Sequence, residues 1–187
     1  KLASLEGCRT LADQVNNYLV SFRHESPTNV GQADSLQGYC ADSYLLECEC
    51  PRFGSGEGKG VLKESVRGCD LFIMVDVTNY SLTYRVNGYE NHMSPDNHYQ
   101  DLKRIISAAD GKARRINVIM PFLYEGRQHK RSKRESLDCA LMLQELVDMG
   151  VSNILTFDAH DPRVSNSIPL HGFDSFMPTY QFLKALV

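Results

Sequence analysis

Between Arg127 and Arg134, five of eight residues are Lys or Arg (Arg127, Lys130, Arg131, Lys133 and Arg134), and they follow directly on the apolar run Ile116 to Phe122. Planar Arg forks suit phosphate oxygens better than the point charges of Lys do. A dense cationic loop set between a strand and a helix offers positive charge to a polyphosphate. It does so at the edge where open α/β sheets collect their ligands, outside the carboxyl ends of the strands. Taken alone, such a run is more often a solvated basic face. Its company argues otherwise.

Further along, Asp158-Ala159-His160-Asp161 sets two carboxylates around an imidazole just as an apolar strand ends. Carboxylates hold Mg²⁺ directly or through its waters, and Mg²⁺ normally arrives with substrate phosphates. A neutral His can donate to a phosphate oxygen or ligate the metal. The plainer reading of the tetrapeptide is a turn opened by Asp161-Pro162. Beside five cations the metal–nucleotide reading gains, because such a ligand needs both signs of charge. A third segment, Arg52-Phe53-Gly54-Ser55-Gly56-Glu57, joins an aromatic ring, two glycines and a carboxylate. Phe53 is suited to stack on a purine and Glu57 to accept from its amino group, although most such turns are only turns.

These segments need a scaffold. Leu11, Val15, Tyr18 and Leu19 keep helical spacing, so Arg9 to Phe22 reads as an amphipathic helix. His24 to Cys40 is a long polar connection, and Ser43 to Cys50 reads as a strand. The glycine-rich turn at Gly54 to Gly58 leads into Val61-Leu62, which predicts a hairpin. Asp70 to Val77 is a near-continuous apolar run of the kind a doubly covered parallel strand shows. Asn79 to Pro95 is polar and rich in Tyr and Asn, an excursion over the surface. A helix follows, marked by Leu102, Ile105, Ile106 and Ala109 with Asp96 as its cap. Then come a strand at Ile116 to Met120 and, after the basic loop, a helix through Leu137, Leu141 and Val147 that stops at Gly150. Ser152 to Phe157 is a further strand, and a last helix starts near Pro178. Strands alternating with helices predict an α/β fold, a parallel sheet with helices on both faces. No internal repeat or low-complexity tract interrupts it.

Length and composition narrow the classes. A chain of 187 residues suits one well-packed domain. The formal net charge is −3, which speaks against a general nucleic-acid binder and makes the basic loop a local feature. No run approaches the ~18 to 20 apolar residues of a membrane span, and Lys1 to Gly7 has no apolar core of a signal peptide. The six cysteines lie in strand- and helix-like segments and read as reduced thiols of a cytoplasmic protein. Cys48 and Cys50 would share one face of a strand and, with Cys40, could form part of a zinc site. No fourth ligand follows at zinc-site spacing, so buried core thiols are the preferred reading. The chain begins at Lys1 with no Met and stops at Val187 within an apolar helical run, so a longer parent is expected.

Taken together the segments resemble the amino-terminal half of the phosphoribosyl pyrophosphate synthetases (ribose-phosphate diphosphokinases). That family reads G-R-F-S-D-G-E and then E-S-V-R-G-x-D-V-F-I-V, where this chain has Pro51-Arg52-Phe53-Gly54-Ser55-Gly56-Glu57 and then Glu64-Ser65-Val66-Arg67-Gly68-Cys69-Asp70-Leu71-Phe72-Ile73-Met74-Val75. The family's P-Y-x-x-Y-A-R-Q-D-R-K is matched by Pro121 to Arg131, its R-E-P-I-S-A-K by Arg134 to Ala140, and its V-D-L-H-A by Phe157 to Asp161. Order and spacing agree from the first helix to Leu186.

The resemblance implies a phosphoribosyltransferase-like α/β fold, with residues 1–187 as the first, ATP-binding domain of a two-domain chain and the ribose 5-phosphate domain absent. It implies that the β,γ-diphosphate of Mg-ATP passes to the 1-hydroxyl of ribose 5-phosphate, releasing AMP. By the same carry-over Arg127, Gln128 and Lys130 contact the nucleotide, Asp158 and His160 serve Mg²⁺ and the phosphates, and His160 is catalytic. Phe53 and Glu57 would hold the adenine of a neighbouring subunit, which requires a homo-oligomer, hexameric in the family. Arg67 falls where the family binds a regulatory phosphate. This chain also departs from the pattern. Ser55 replaces an Asp, His129 follows Arg-Gln in place of another Asp, the cationic loop is one residue shorter, and Ser136 replaces Pro. The acidic positions after the Asp-x-His pair are mostly lost in Arg163 to Pro169, with Asp174 aligned to the last of them. The stretches 24–40 and 79–95 are insertions.

Two other classes compete. A non-catalytic relative that assembles with true synthetases and regulates them would explain the eroded acidic positions, but not the retention of Arg127, Gln128, Asp158 and His160 as a set. A general anion- or nucleic-acid-binding module is opposed by the net negative charge and by the lack of aromatic residues within the basic loop.

Overall fold

Short segments, two to seven residues long, become the strands of one six-stranded sheet. The computed structural model describes residues 1–25 and 40–187. The sheet holds β1 (Leu2–Ser4), β2 (Leu45–Leu46), β5 (Asp70–Met74), β8 (Arg115–Ile119), β9 (Val151–Phe157) and β10 (Gly172–Phe176). Its order is β10-β9-β8-β5-β1-β2 and every pairing is parallel. Two antiparallel pairs stand apart from it, β3 (Cys48–Glu49) with β4 (Val61–Leu62), and β6 (Thr83–Val86) with β7 (Tyr89–His92).

The period of two along the strands divides the interior between the two faces of the sheet. Ala3, Leu71, Ile73, Ile116, Val118 and Ile154 face the larger core, which α2 (Pro95–Ala108) and α3 (Asp138–Asp148) cover through Leu102, Ile105, Leu143 and Leu146. Leu2, Met74 and Phe72 turn the other way and meet Cys8 and Ala12 at the start of α1 (Arg9–Glu25). Helices therefore lie on both faces, as the alternation of strands and helices predicts. On the α1 face the central strands also carry a polar row, in which Asn153 donates to Asn117 (2.6 Å) and the buried Asn117 donates to the Leu71 carbonyl.

Several expectations change in detail. The strand expected over Ser43 to Cys50 is broken after Leu46. Among the described residues β2 has only β1 as a neighbour, and beyond it the chain leaves the edge to pair with β4, Lys63 N donating to Glu47 O at 3.0 Å. The cap of α2 is Ser94, whose hydroxyl accepts from Asn97 N at 3.2 Å, with Pro95 next to it. Asp96 instead lies in the first turn and accepts from Tyr124 Oη at 2.5 Å. The polar excursion at 79–95 contains the β6–β7 hairpin, closed by Asn87-Gly88 with φ of 49° and 86°. Two left-handed residues in a row make the type I′ turn for which Asn-Gly is the preferred pair. The connection expected at His24 to Cys40 lies, apart from its ends, outside the described residues. Within the six-stranded sheet, β1 and β10 were not foreseen.

The cysteines are free thiols. Cys48 Sγ donates to Ser4 O and Cys50 Sγ to Asp101 O, and burial pushes the two thiols up to about 11 and about 12. Among the described residues Cys40, Cys48 and Cys50 do not come together as a group: Cys40 is exposed and Cys48 is buried. Nor is any helix among the described residues long and apolar enough to cross a membrane.

Candidate functional site

The basic loop and the Asp-x-His segment leave adjacent strands, β8 and β9, at the same edge of the sheet. Leu123 is buried and pins the start of the loop to the core. A short turn follows, with Gly126 N donating to Leu123 O and Gln128 N to Glu125 O. Glu125 takes a left-handed φ of 54°, and Asp158 a φ of 45°, each unusual for a non-glycine residue. Asp158 is held in that conformation by its neighbour strand, since its N–H donates to Phe176 O (2.9 Å) and Ala159 N donates to Ser175 Oγ (2.9 Å). The unforeseen β10 thus shapes the Asp-x-His turn.

Between the two loops lies a cleft of about 420 Å³. Arg127, Asp158 and His160 line it, and Phe122 and Phe157, each about half exposed, form its apolar walls. Further out, the loop's five cations make no salt bridge with any described residue. Glu135, the carboxylate nearest in sequence, accepts from Ser132 N (3.1 Å) and Ser132 Oγ (2.9 Å), and these bonds hold it below the usual carboxylate range.

One expectation does not hold. Asp158-Ala159-His160-Asp161 does not offer two carboxylates to a ligand. Asp161 caps the 3-10 turn Pro162–Ser167 through Arg163 N (2.9 Å) and binds the Arg163 side chain (Nε–Oδ1, 2.9 Å). It also lies 3.5 Å from His129 Nε2. These contacts, with Arg163 foremost, hold its carboxyl well below the usual range. Asp158 is thus the carboxylate left facing the cleft.

The remaining predicted residues are dispersed. Gln128 and Lys130 are exposed on the loop outside the cleft lining. Phe53, 57% exposed, and Glu57 stand on the β3–β4 turn, and neither lines the cleft. Ser55 Oγ donates to Glu57 at 2.8 Å, so Ser55 orients the carboxylate in the position where the family's motif carries an Asp. Arg67 lies exposed ahead of β5, at the amino edge of the sheet.

Sequence reasoning missed His129 as a structural participant. Its side chain is only 13% exposed, it bridges toward Asp161, and its ring packs on His160 with centroids 5.1 Å apart. The signal was present as a histidine at a position where the resembled motif has an acid. Phe122 and Phe157 were likewise read as strand residues only.

An α/β sheet whose order reverses between β1 and β5, with a cationic loop and an Asp-x-His turn on adjacent strand ends, is that of a phosphoribosyltransferase-like domain. A family model described as the N-terminal domain of ribose phosphate pyrophosphokinase matches residues 1–150, and the chain belongs to that family. Ribose-phosphate pyrophosphokinases of Corynebacterium ammoniagenes and Bacillus cereus are each 30% identical to it over 122 residues, 64% of this chain and 34% of theirs. The enzyme of Bacillus caldolyticus matches to the same extent. The chain therefore spans about a third of the length of these relatives. The crystal structure of phosphoribosylpyrophosphate synthetase from Mycobacterium smegmatis superposes with a TM-score of 0.74 at 21% identity, over 99% of this chain and 50% of that one. At that identity the likeness establishes the fold.

Proposed function

We propose that this chain is the nucleotide-binding domain of a ribose-phosphate diphosphokinase, and that a second domain in the parent protein carries the ribose 5-phosphate site. The reading rests on the convergence of Arg127, Asp158 and His160 on one cleft, beside four further cations of the loop that make no salt bridge with any described residue. In the proposed reaction the 1-hydroxyl oxygen of ribose 5-phosphate attacks the β-phosphorus of ATP. The bond from that phosphorus to the α,β-bridging oxygen breaks, and AMP leaves with the bridging oxygen. Such a transfer asks the protein for positioning and for neutralisation of spreading charge more than for covalent chemistry.

The donor set fits Mg²⁺. Asp158 supplies oxygen and His160 nitrogen, both facing the cleft, while Asp161 is occupied by Arg163. Two protein ligands are enough for an ion that keeps several waters and takes phosphate oxygens. When bound, Mg²⁺ would offset the charge of the β- and γ-phosphates. Arg127 would orient the polyphosphate through its planar fork, with Gln128 and Lys130 along its length. His160, backed by His129 and through it by Asp161, would hold a phosphate oxygen at the reacting end. Phe53 and Glu57 would serve the adenine of a neighbouring subunit in a homo-oligomer. Arg67 would take a regulatory phosphate, and the cytoplasm would be the place of action.

The test is AMP formation from Mg-ATP and ribose 5-phosphate by the full-length parent, beside Arg127→Ala and His160→Ala. Losing one donor aimed at developing charge costs about 10²–10³ in turnover, and each variant is expected to fall by that much or more. This chain by itself is expected to release no AMP. A parent that folds and assembles yet makes no AMP would refute the enzyme and point to the regulatory relative.

A further inference from the structure

A second cleft, of about 430 Å³, opens where the strand order reverses between β1 and β5. Its lining shares no residue with the Arg127–Asp158–His160 cleft. Strand connections diverge at such a reversal and leave a crevice at the carboxyl edge. Here the turn after β1, the β3–β4 hairpin and the inserted strand β6 close it on three sides.

The inner wall carries a buried ion cluster. Arg52 places both forks on Asp101 (Nη1–Oδ1 2.6 Å, Nη2–Oδ2 2.8 Å), and Arg104 Nη1 shares Oδ1 at 2.6 Å. Two guanidinium groups thus share one carboxylate, with the Arg52 and Asp101 side chains only 9% and 6% exposed. Asp101 is thereby taken up by protein cations, although Arg104 itself does not line the cleft. The Tyr84 ring lies over Arg52, 5.3 Å from Cζ to centroid. At the rim stand Arg9, on the first turn of α1, and Arg85, on β6, neither in a salt bridge with any described residue. Of the two other carboxylates in the lining, Glu49 is tied to Lys63 at 2.6 Å, while Glu6 is exposed and faces the opening.

The outer wall is fixed. Asn87 N, in the hairpin turn, donates to Gly54 O at 3.1 Å. Val86 packs so closely on Gly56 that a Cβ there would lie 2.9 Å from its methyl group, and Gly56 has a φ of 91°. The buried His98 meets the Asn79 carbonyl through Nε2 at 2.6 Å and ties α2 to the start of the insertion.

We propose that this cleft binds a phosphate monoester dianion, with Arg9 and Arg85 as the two forks and Arg52, fixed by Asp101, behind them. Glu6 accepts from a hydroxyl of the ester's organic part. Two guanidinium groups brought from different elements, without carboxylate partners, match a doubly charged group with three acceptor oxygens.

The experiment is calorimetric titration of the full-length parent with glycerol 3-phosphate and, separately, with inorganic phosphate. Arg9→Ala, Arg85→Ala and Arg127→Ala are compared. Saturable binding of the ester is expected, weakened at least tenfold by either rim substitution. Arg85→Lys keeps the charge and loses the fork, and should recover only part of the affinity. Tighter binding of the ester than of inorganic phosphate, a preference reduced by Glu6→Gln, assigns the site to a phosphorylated metabolite; equal affinities assign it to free phosphate. Both rim residues are exposed, and unchanged urea midpoints will show that the variants fold. Absence of saturable binding, or binding lost only in Arg127→Ala, overturns the proposal. The AMP assay is independent of this outcome, so either reading can fail alone.

Discussion

Asp101→Ala removes one carboxylate that satisfies two guanidinium groups, and the structure sets the size of the loss. The Asp101 side chain is 6% exposed and accepts three charge-assisted bonds of 2.6, 2.8 and 2.6 Å. Without it the Arg52 guanidinium, 9% exposed, has its acceptor removed and little water in its place. Breaking a buried pair by deleting one partner costs about 3–5 kcal/mol, because the other charge stays buried and uncompensated. Arg104, 23% exposed, can turn to solvent and adds under about 1 kcal/mol. A total of about 3–6 kcal/mol is a large share of a domain stability of about 5–15 kcal/mol. In urea unfolding followed by far-UV circular dichroism, with a slope of about 2 kcal/mol/M, the midpoint should drop by about 1.5–3 M. Asp101→Asn keeps the shape and one acceptor and should lose less. Replacing Arg52 and Asp101 together by Met should recover much of the loss, since both charges then leave the interior. A loss below about 1 kcal/mol for Asp101→Ala, or a double variant no better than the single, would refute the view of this cluster as a buried electrostatic unit.

Gly60→Ala should destabilise by about 1–3 kcal/mol, the usual cost of forcing atoms into a packed site. A Cβ there would stand 2.5 Å from the Arg104 carbonyl carbon, whereas Gly54, with open space around it, should accept Ala within about 0.5 kcal/mol. Thermal melts of the two variants side by side decide the point. Asp70 is held well below the usual carboxylate range by hydrogen bonds from Arg115 and Arg114. Its contribution to stability is therefore complete above the unfolded-chain value of about 4 and is lost as pH falls through the lower folded value. Melting of Asp70→Asn should show a deficit at pH 7 that shrinks below about pH 4. The deficit should be modest and weakened by salt, because Arg114 and Arg115 are 63% and 56% exposed. A gap that stays constant from pH 7 to pH 3 would refute the assignment.

Much of the scaffold was readable because it follows from local period. Asp70 to Val77 and Ser152 to Phe157 are apolar runs too short for helices, and Leu102, Ile105, Ile106 and Ala109 fall on one helical face. The structure makes each of them the expected element within a few residues. β1 was not readable, since three residues are too few to display a period. β10 was not readable either: Phe173 and Phe176 are split by Asp174 and Ser175, and only pairing with β9 makes the segment a strand. The β6–β7 hairpin carried a usable signal, Asn87-Gly88, that was lost within a polar stretch.

The amino-acid order by itself determined which residues carry chemistry: a run of cations after one apolar strand, an Asp-x-His at the end of another, and an aromatic–carboxylate turn. Side-chain type and chain direction are local properties, and in a parallel sheet every strand delivers its following loop to the same edge. What only the tertiary structure decided is which groups share a site and which are occupied. Asp161 is two residues from Arg163 in sequence, yet its withdrawal from the cleft also involves His129, brought across from the loop after β8. The Arg52–Asp101–Arg104 cluster joins a hairpin to a helix 49 residues away. Such pairings depend on packing between elements distant in the chain, and no local pattern encodes them.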